Sequence, residues 1–258
     1  MTELQEFFTQ LNSFFDKIYV ITLKRATERH QHVQKELAGL HYHFFYGKDK
    51  AEFRVEDLKE KNIYNEALAI KNHRYNKPLP AGMIGCSWSH ALIYRDVVEN
   101  GYEKVLIMED DMVIDKNNIQ LLKSIFAELP NNWELLYFGF AANETPPATV
   151  FFKKAFYHIV RFFGGMKFSH RTINNHYPKK VTQHLYKAGY HDCTHAYGIT
   201  HSAAKKLLAL QTPISFLPDN LLAHAATNEI VTAFITRPKI INQLSQVENG
   251  PTHSYINE

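Results

Sequence analysis

Cysteine is scarce in this sequence, and long apolar runs are missing from it. Only Cys86 and Cys193 occur among 258 residues. Two cysteines make no disulfide framework, and their separation matches no metal-binding motif. We therefore expect both side chains to be small buried hydrophobes. No stretch reaches the roughly 18 apolar residues that a membrane-spanning helix needs.

The first residues do not have the pattern of a secretory leader. Residues 1–15, MTELQEFFTQLNSFF, carry acids and glutamines, whereas a secretory signal begins with basic residues and continues with an apolar run. This start predicts a cytoplasmic protein.

Acidic residues are absent from one long segment. Residues 145–191 contain eight Lys/Arg and no Asp/Glu, although the whole chain has a net charge of only +3. The rest of the chain is therefore acidic overall, and we expect the basic segment to attract anions such as phosphates or acidic lipids. Because no recognised nucleic-acid-binding module surrounds it, we expect no nucleic-acid partner.

What the sequence does contain is enough apolar residues for a sizeable core. Hydrophobic residues make up 45% of the chain, and its length suits one large domain or two small ones. An apolar, β-branched run at 17–23, a basic turn and a polar helix over 27–37 follow in the order typical of α/β proteins. Further strands are predicted at 41–46, 104–108, 133–140 and 196–200, and further helices at 84–99, 115–129, 151–163 and 202–210.

Three consecutive acids, Glu109, Asp110 and Asp111, follow the predicted strand 104–108. Burying ionised acids costs several kcal/mol each unless they are paired or bind a cation, and open α/β sheets hold their ligands at the carboxyl ends of strands. In an extended chain Glu109 and Asp111 would point to the same side. The cluster therefore predicts a site for Mn²⁺ or Mg²⁺ that carries a phosphate. A solvated acidic turn before the next helix is the alternative.

The predicted helix 151–163 carries Phe152, Phe156, Ile159 and Phe163 along one side and basic residues mostly on the other. Two interpretations remain open. The segment 151–171 could lie on an anionic membrane surface, with its aromatic side chains inserted and its basic side chains at the headgroups. Alternatively, the apolar side could pack on the domain.

Several segments together resemble glycosyltransferase family 25, which includes bacterial lipopolysaccharide and lipooligosaccharide β-galactosyltransferases and collagen galactosyltransferases. In the family's order they are 19–25 (YVITLKR) with Arg29, 82–90 (GMIGCSWSH), 105–111 (VLIMEDD), 135–139 (LLYFG), 196–208 (AYGITHSAAKKLL) and 217–219 (LPD). The chain departs from the family pattern at Thr22, Lys24 and Met83, where the family has Asn, Asp and Glu.

The resemblance implies a GT-A fold, which is a Rossmann-like α/β sandwich with a mostly parallel central sheet flanked by helices. We expect a single such domain over 1–258, with a basic aromatic insertion around 145–191. The resemblance further implies inverting transfer of a hexose, most simply galactose from UDP-galactose, to a sugar hydroxyl of a lipooligosaccharide, a lipopolysaccharide or a related glycan. A metal-dependent phosphoesterase or nucleotidase, and a non-catalytic glycan- or membrane-binding protein, are the alternatives.

The resemblance also implies roles for individual residues. Asp219 is the candidate general base; its alternative role is to cap a helix at 220–222. Metal ligands are expected to be Asp111 and Glu109, with His253 or His224 as a further ligand. Residues expected at the UDP-sugar are Ile21, Thr22, Leu23, Arg25, Arg29, Ser89, His90, Glu109 and Asp110.

Ordinary structural roles are the alternatives for three of these residues. Arg25 and Arg29 could instead be solvated charges on a helix, and His90 could be a hydrogen-bonded core histidine. Expected partners are a sugar nucleotide, a glycan or lipid-linked acceptor and, through 151–171, the inner face of an anionic cytoplasmic membrane.

Overall fold

Strands and helices alternate along most of the chain, as the sequence predicts. The computed structural model describes residues 2–73 and 76–246. The strands are β1 (Lys17–Thr22), β2 (His43–Tyr46), β3 (Lys104–Glu109), β4 (Met112–Ile114), β5 (Leu135–Ala141), β6 (Lys179–Lys180), β7 (Leu185–Lys187), β8 (Asp192–Thr200), β9 (Ala233–Thr236) and β10 (Ile241–Gln243). The α-helices are α1 (Glu3–Phe14), α2 (Thr27–Glu36), α3 (Val55–Glu60), α4 (Glu66–Asn72), α5 (Ala81–Asn100), α6 (Leu122–Glu128), α7 (Val150–Phe162), α8 (His170–Asn174), α9 (His201–Leu210) and α10 (Pro218–Thr227).

A single large sheet organises these elements, with strand order β2-β1-β3-β8-β5-β9-β7-β6. Strand β1 pairs in parallel with β2 and β3, and β5 pairs in parallel with β9. Strand β8 is antiparallel to both β3 and β5, and β7 is antiparallel to both β9 and β6. All strands of this sheet except β7 and β8 therefore run in one direction. This confirms the predicted α/β architecture with a mostly parallel central sheet.

Both faces of the sheet are covered, which explains why its strands are continuous apolar runs. Along β3, Leu106 and Met108 belong to a core that also contains Val33 of α2 and Leu122 of α6. The alternate residues of β3 belong to a second core, on the side of α5, α9 and α10. The two helical layers hold the carboxyl ends of β1, β2 and β3 together at one edge of the sandwich.

Some predicted elements differ from the structure. The helix predicted over 115–129 is α6 alone, because Met112–Ile114 pairs with β10 and a single 3₁₀ turn, Ile119–Leu121, precedes the helix. The N-terminal acids and glutamines belong to α1, where Thr2 and Gln5 form a capping box. The C-terminal part, which has no clear periodicity, contains α10, β9 and β10.

The predicted aromatic helix forms as α7, but its apolar side faces outward. Phe151 is 76% exposed and Phe162 is 84% exposed, and Phe152, Phe156, Ile159 and Phe163 are exposed too. The polar side faces the protein: the Lys153 ammonium donates to the Tyr177 hydroxyl over 2.7 Å, and the Lys154 ammonium donates to the Asn174 carbonyl over 2.6 Å. The alternative in which the apolar side packs on the domain is therefore wrong.

Within residues 2–73 and 76–246, no helix is both long enough and apolar enough to cross a bilayer.

Candidate active site

A cleft opens at the carboxyl ends of β1, β2 and β3, where the amino-terminal half of α5 closes it. Its volume, including the open mouth, is about 840 Å³. The residues that line it are Ile21, Thr22, Leu23, Arg29, Gly47, Lys48, Asp49, Lys50, Gly82, Cys86, Ser89, His90, Glu109, Asp110, Asp111 and Gln243. Of the residues predicted to contact a nucleotide, all except Arg25 lie here. Because the sequence predicts that the sugar-nucleotide donor binds at these residues, we call this space the donor cleft.

The acidic cluster forms the floor of the donor cleft, but not as an extended chain. Glu109 is the last residue of β3, and Asp110 and Asp111 make a tight turn into β4. The expectation that Glu109 and Asp111 point to one side by strand alternation is therefore wrong, because strand geometry ends at Glu109. The turn nevertheless brings all three carboxylates to the same cleft.

Asp110 is held by the neighbouring strand. The Thr22 hydroxyl at the end of β1 donates a hydrogen bond of 2.6 Å to Asp110 Oδ2. Burial raises the pKa of Asp110, the Thr22 hydrogen bond lowers it, and the Asp111 charge raises it again. The net effect is a raised pKa, which means that the protein surroundings disfavour the ionised form of Asp110 relative to water.

Asp111 has one oxygen in use and one available. Its Oδ2 accepts a hydrogen bond of 2.8 Å from the Gln243 amide and lies 3.7 Å from Arg29 Nη1. Its Oδ1 is buried and has no hydrogen-bond partner among the described residues. A buried carboxylate oxygen without a donor is costly in a dry protein and is suited to a hard cation.

No preformed cage surrounds that oxygen. Within residues 2–73 and 76–246, no three His, Cys, Asp or Glu side chains converge closely enough to hold a metal ion together. Of the two candidate histidine ligands, His253 lies outside the described residues. His224 lines a different cleft, so it does not complete the acidic cluster.

The segment 47–50 forms one wall of the donor cleft and was missed from the sequence. Ser89 of α5 supports it, because the Lys48 amide donates to Ser89 Oγ over 2.8 Å, and the Ser89 hydroxyl donates to the Gly85 carbonyl over 2.7 Å. A Cβ on Gly85 would lie 2.4 Å from the Lys48 carbonyl oxygen, so only glycine permits this approach. The position of Gly47 directly after β2 is the sequence signal that could have revealed this wall. Nothing in the sequence points to Gln243.

The basic and histidine candidates take different places. Arg25 is not among the residues that line the donor cleft, and it pairs with Asp49, which is, over 2.5 Å. Arg29 is buried near Asp111 rather than solvated. His90 is a core histidine bonded to the Tyr197 hydroxyl over 2.6 Å. Burial lowers its pKa to about 3, so it is neutral at pH 7, and its Nε2 has no hydrogen-bond partner among the described residues.

Asp219 lies in the first turn of α10, after Pro218. The alternative in which Asp219 caps the helix is wrong, since Leu217 is the residue before the helix. Asp219 Oδ1 accepts hydrogen bonds from the amide and side chain of Asn220, and Oδ2 accepts one of 3.3 Å from the Cys193 amide. Asp219 does not line the donor cleft.

Asp219 and Glu109 both act on the two cysteine thiols. Burial, together with the negative charges of Glu109 and Asp219, raises the pKa of Cys193 to about 12. Burial also raises the pKa of Cys86, with added contributions from the same two carboxylates. Both thiols are free and protonated at neutral pH. A carboxylate that could take a proton thus stands near a cluster that could bind a cation.

The sequence was compared with known families and proteins. The profile of a family described as "Glycosyltransferase family 25 (LPS biosynthesis protein)" matches residues 15–222. A Homo sapiens "Procollagen galactosyltransferase 2" is 30% identical over 131 residues, which are 48% of this chain and 21% of that protein. An Anopheles gambiae "Glycosyltransferase 25 family member" is 27% identical over 211 residues, which are 78% of this chain and 30% of that protein. The matches span less than a third of these relatives' length.

Among solved structures, one similar chain is "a glycosyltransferase involved in the glycosylation of the major capsid of PBCV-1". It shares 8% sequence identity, with a TM-score of 0.43, and the match covers 90% of this chain and 93% of that one.

Proposed function

Since this chain belongs to glycosyltransferase family 25, we propose that it is an inverting, metal-dependent hexosyltransferase. It moves galactose from UDP-galactose onto a sugar hydroxyl of a lipooligosaccharide, a lipopolysaccharide or a related glycan. The choice of galactose is supported by the similarity to procollagen galactosyltransferases, and the class of acceptor by the family's description.

The observation that carries the proposal is the buried, unpartnered Asp111 Oδ1 at a strand-end cleft. An oxygen in this position suits one coordination site of Mn²⁺ or Mg²⁺, and Glu109 beside it offers a second carboxylate. The remaining ligands of such an ion would come from the diphosphate and from water, as is usual where metal ions bind substrate phosphates. When bound, the cation neutralises charge on the departing UDP.

The walls of the donor cleft suit the rest of a sugar nucleotide. Arg29, Lys48 and Lys50 bring positive charge to a cleft that also contains the acidic cluster, which favours a diphosphate. We assign to the Asp110 carboxylate, which Thr22 holds in place, a hydrogen bond from a ribose hydroxyl. His90 is neutral and lies in the wall made by α5. Its Nε2, which has no hydrogen-bond partner among the described residues, is available to bind the sugar nucleotide.

Asp219 is the group that we assign as general base. Its carboxylate takes the proton from the acceptor hydroxyl while the oxygen forms a bond to the anomeric carbon. The bond from that carbon to the β-phosphate oxygen breaks, and UDP leaves with the electron pair, so the configuration at the anomeric carbon inverts. The two hydrogen bonds from Asn220 to Oδ1 hold the carboxylate in place for this transfer.

A membrane-associated acceptor is supported by α7. Its exposed aromatic side forms an apolar surface on a segment that has no acidic residue. Such a surface suits insertion into an anionic bilayer, with contact at the inner face of the cytoplasmic membrane. This surface therefore brings the protein to lipid-linked glycans.

The proposal is tested by incubating the protein with a panel of UDP-sugars and Mn²⁺, without an acceptor, and measuring UDP release. We expect slow release from one sugar nucleotide and none after chelation of the metal. Hydrolysis of generic phosphate esters would favour a phosphoesterase instead. Absence of any metal-dependent nucleotide binding would exclude both enzymes and leave a non-catalytic binding protein.

A further inference from the structure

A second cleft reaches Asn220, the residue after Asp219, and shares no lining residue with the donor cleft. It is bounded by the end of α4, by residues 164–169 after α7 and by Asn220 and His224 of α10, and its volume, open mouth included, is about 1380 Å³. Lys167 ties two of these walls together, because its ammonium donates to the carbonyl oxygens of Ile70, Lys71 and His73 over 2.7, 2.8 and 3.0 Å. The cleft is thus built by tertiary contacts and is not a gap between loose loops.

The lining combines aromatic rings with uncharged polar groups. Phe168 and Tyr190 have ring centroids 4.9 Å apart, and Phe216 and His224 have centroids 5.1 Å apart. The side chains of Asn72, Asn76 and Asn220 line the same cleft. Burial lowers the pKa of His224, so this ring is neutral at pH 7. Its Nδ1 lies 3.3 Å from the Asn228 side-chain amide, which leaves Nε2 to donate a hydrogen bond to a ligand.

These groups fit a saccharide better than other ligands. The C–H faces of a pyranose ring pack on aromatic rings, and its hydroxyls need partners that both donate and accept, as amides and neutral imidazole do. The residues that line the cleft include Lys71 and Lys167 but no Asp or Glu, which disfavours a cationic ligand and admits a neutral or acidic sugar.

A chain of hydrogen bonds leads from this cleft to the proposed general base. The Tyr190 hydroxyl donates to Asn220 Oδ1 over 2.6 Å, and the Asn220 amide donates to Asp219 Oδ1 over 2.9 Å. Asn220 and His224 are four residues apart, so they share one side of α10. A hydroxyl bound to the Asn220 side chain is therefore linked through it to Asp219.

We propose that this second cleft is the acceptor cleft, which binds the terminal sugar of the glycan to be extended. The inference rests on the proposed function, and it adds where the acceptor lies and which side chains select it. The Asn220 side chain is assigned a positioning role, because it bridges the acceptor cleft and the carboxylate of Asp219.

Saturation-transfer NMR tests this assignment with methyl β-galactoside, methyl β-glucoside and methyl β-N-acetylglucosaminide, each in the presence of UDP and Mn²⁺. Lys71→Trp places a bulky ring in the acceptor cleft at an exposed helix end, and Lys205→Trp is the matched control on α9, in a separate surface depression. We expect the wild-type protein and the control to transfer saturation to at least one glycoside and Lys71→Trp to lose it. His224→Ala should lower the affinity for the same glycoside about tenfold, which is the usual effect of one lost hydrogen bond.

UDP binding in the same samples separates the two possible failures. If the wild-type protein binds UDP but no glycoside, or if Lys71→Trp and Lys205→Trp give equal signals, the acceptor cleft is refuted while the donor site stands. If the wild-type protein binds no UDP with Mn²⁺, the proposed function fails and the acceptor cleft fails with it. Retained UDP binding by Lys71→Trp shows that this variant is folded.

Discussion

The Thr22 hydroxyl at the end of β1 donates a hydrogen bond of 2.6 Å to Asp110, one residue beyond the end of β3. This contact joins two adjacent parallel strands at the edge where the donor cleft opens. Thr22 stands where the resembling family has asparagine. In this chain the Thr22 hydroxyl supplies a hydrogen-bond donor to the Asp110 carboxylate.

Replacing Thr22 by valine should therefore weaken nucleotide binding. Valine has a similar shape but no donor, so Asp110 loses the hydrogen bond that lowers its pKa. We expect roughly tenfold weaker UDP binding, which corresponds to one hydrogen bond of about 1.4 kcal/mol. Calorimetric titration with UDP and Mn²⁺ measures this, and Thr22→Ser is the control that keeps the hydroxyl. Equal affinities of the valine and serine variants would contradict the assigned role.

Asp111→Asn should remove the metal dependence of nucleotide binding. The change keeps the shape of the side chain but removes the negative charge from the buried Oδ1 position. We expect Mn²⁺ to enhance UDP binding by the wild-type protein and to have little effect on the variant. Gln243→Ala is the control, because it removes the hydrogen-bond partner of Asp111 while keeping the carboxylate. A variant that still responds fully to Mn²⁺ rules out Asp111 as a ligand.

Asp219→Asn should abolish transfer while leaving UDP-sugar affinity nearly intact. Asparagine can occupy the same place in α10, but it cannot take a proton from the acceptor. Loss of a general base lowers kcat by about 10²- to 10⁴-fold. Steady-state kinetics and calorimetry on the same preparation measure the two properties, with Asp192→Asn as a nearby control. Full activity of Asp219→Asn would refute its role as the base.

The exposed side of α7 should bind anionic membranes. Vesicles of phosphatidylcholine with phosphatidylglycerol are expected to sediment the wild-type protein, and the triple variant Phe151→Ser, Phe156→Ser, Phe162→Ser should remain in the supernatant. Full burial of one phenylalanine side chain contributes about 1.5–3 kcal/mol, so the loss of three should abolish membrane binding. Because Lys153 and Lys154 face the protein, their replacement should matter less.

Two controls accompany the vesicle experiment. Tyr46→Ser changes another exposed aromatic side chain, outside the basic segment, and should leave sedimentation unchanged. Vesicles of phosphatidylcholine alone should bind more weakly, because the acid-free segment contributes through anionic lipid. Wild-type protein that stays in the supernatant with anionic vesicles contradicts a membrane role for α7.

Buried neutral histidine should make stability fall in acid. His191 is fully buried, and its Nε2 accepts a hydrogen bond of 3.0 Å from the Gly189 amide while its Nδ1 lies 3.0 Å from the Ala142 carbonyl. Burial lowers its pKa to about 4. Between pH 6.5 and 4 the unfolded chain therefore binds a proton that the folded chain does not, and stability is lost as the pH falls, by up to about 1.4 kcal/mol per pH unit.

His191→Gln isolates this contribution. Glutamine can also donate to the Ala142 carbonyl and accept from the Gly189 amide, but it does not titrate. Urea unfolding at several pH values should show a smaller loss of stability for the variant than for the wild-type protein between pH 6.5 and 4, and parallel curves above pH 7. Parallel curves over the whole range would mean that His191 is not the titrating group.

Much of the framework follows from sequence alone. The run 104–108 is apolar at every position but its first, and such a run can only be stable when both faces are covered, so a strand of a sandwiched sheet is the natural outcome. The three acids at its end cannot be buried without a partner. The family resemblance then predicted a nucleotide site that includes Thr22, Arg29 and the acidic turn, and these residues line one cleft.

Arrangements between distant segments were decided only by the tertiary structure. An amphipathic helix has the same sequence pattern whichever side it turns to its own protein, so the outward aromatic side of α7 depended on where the lysines found carbonyl and hydroxyl partners. Gln243 reaches Asp111 because β10 pairs with β4. Asp219 accepts a hydrogen bond from the Cys193 amide because α10 packs beside β8. Local sequence periodicity describes one element at a time, whereas these contacts depend on how separate elements pack together.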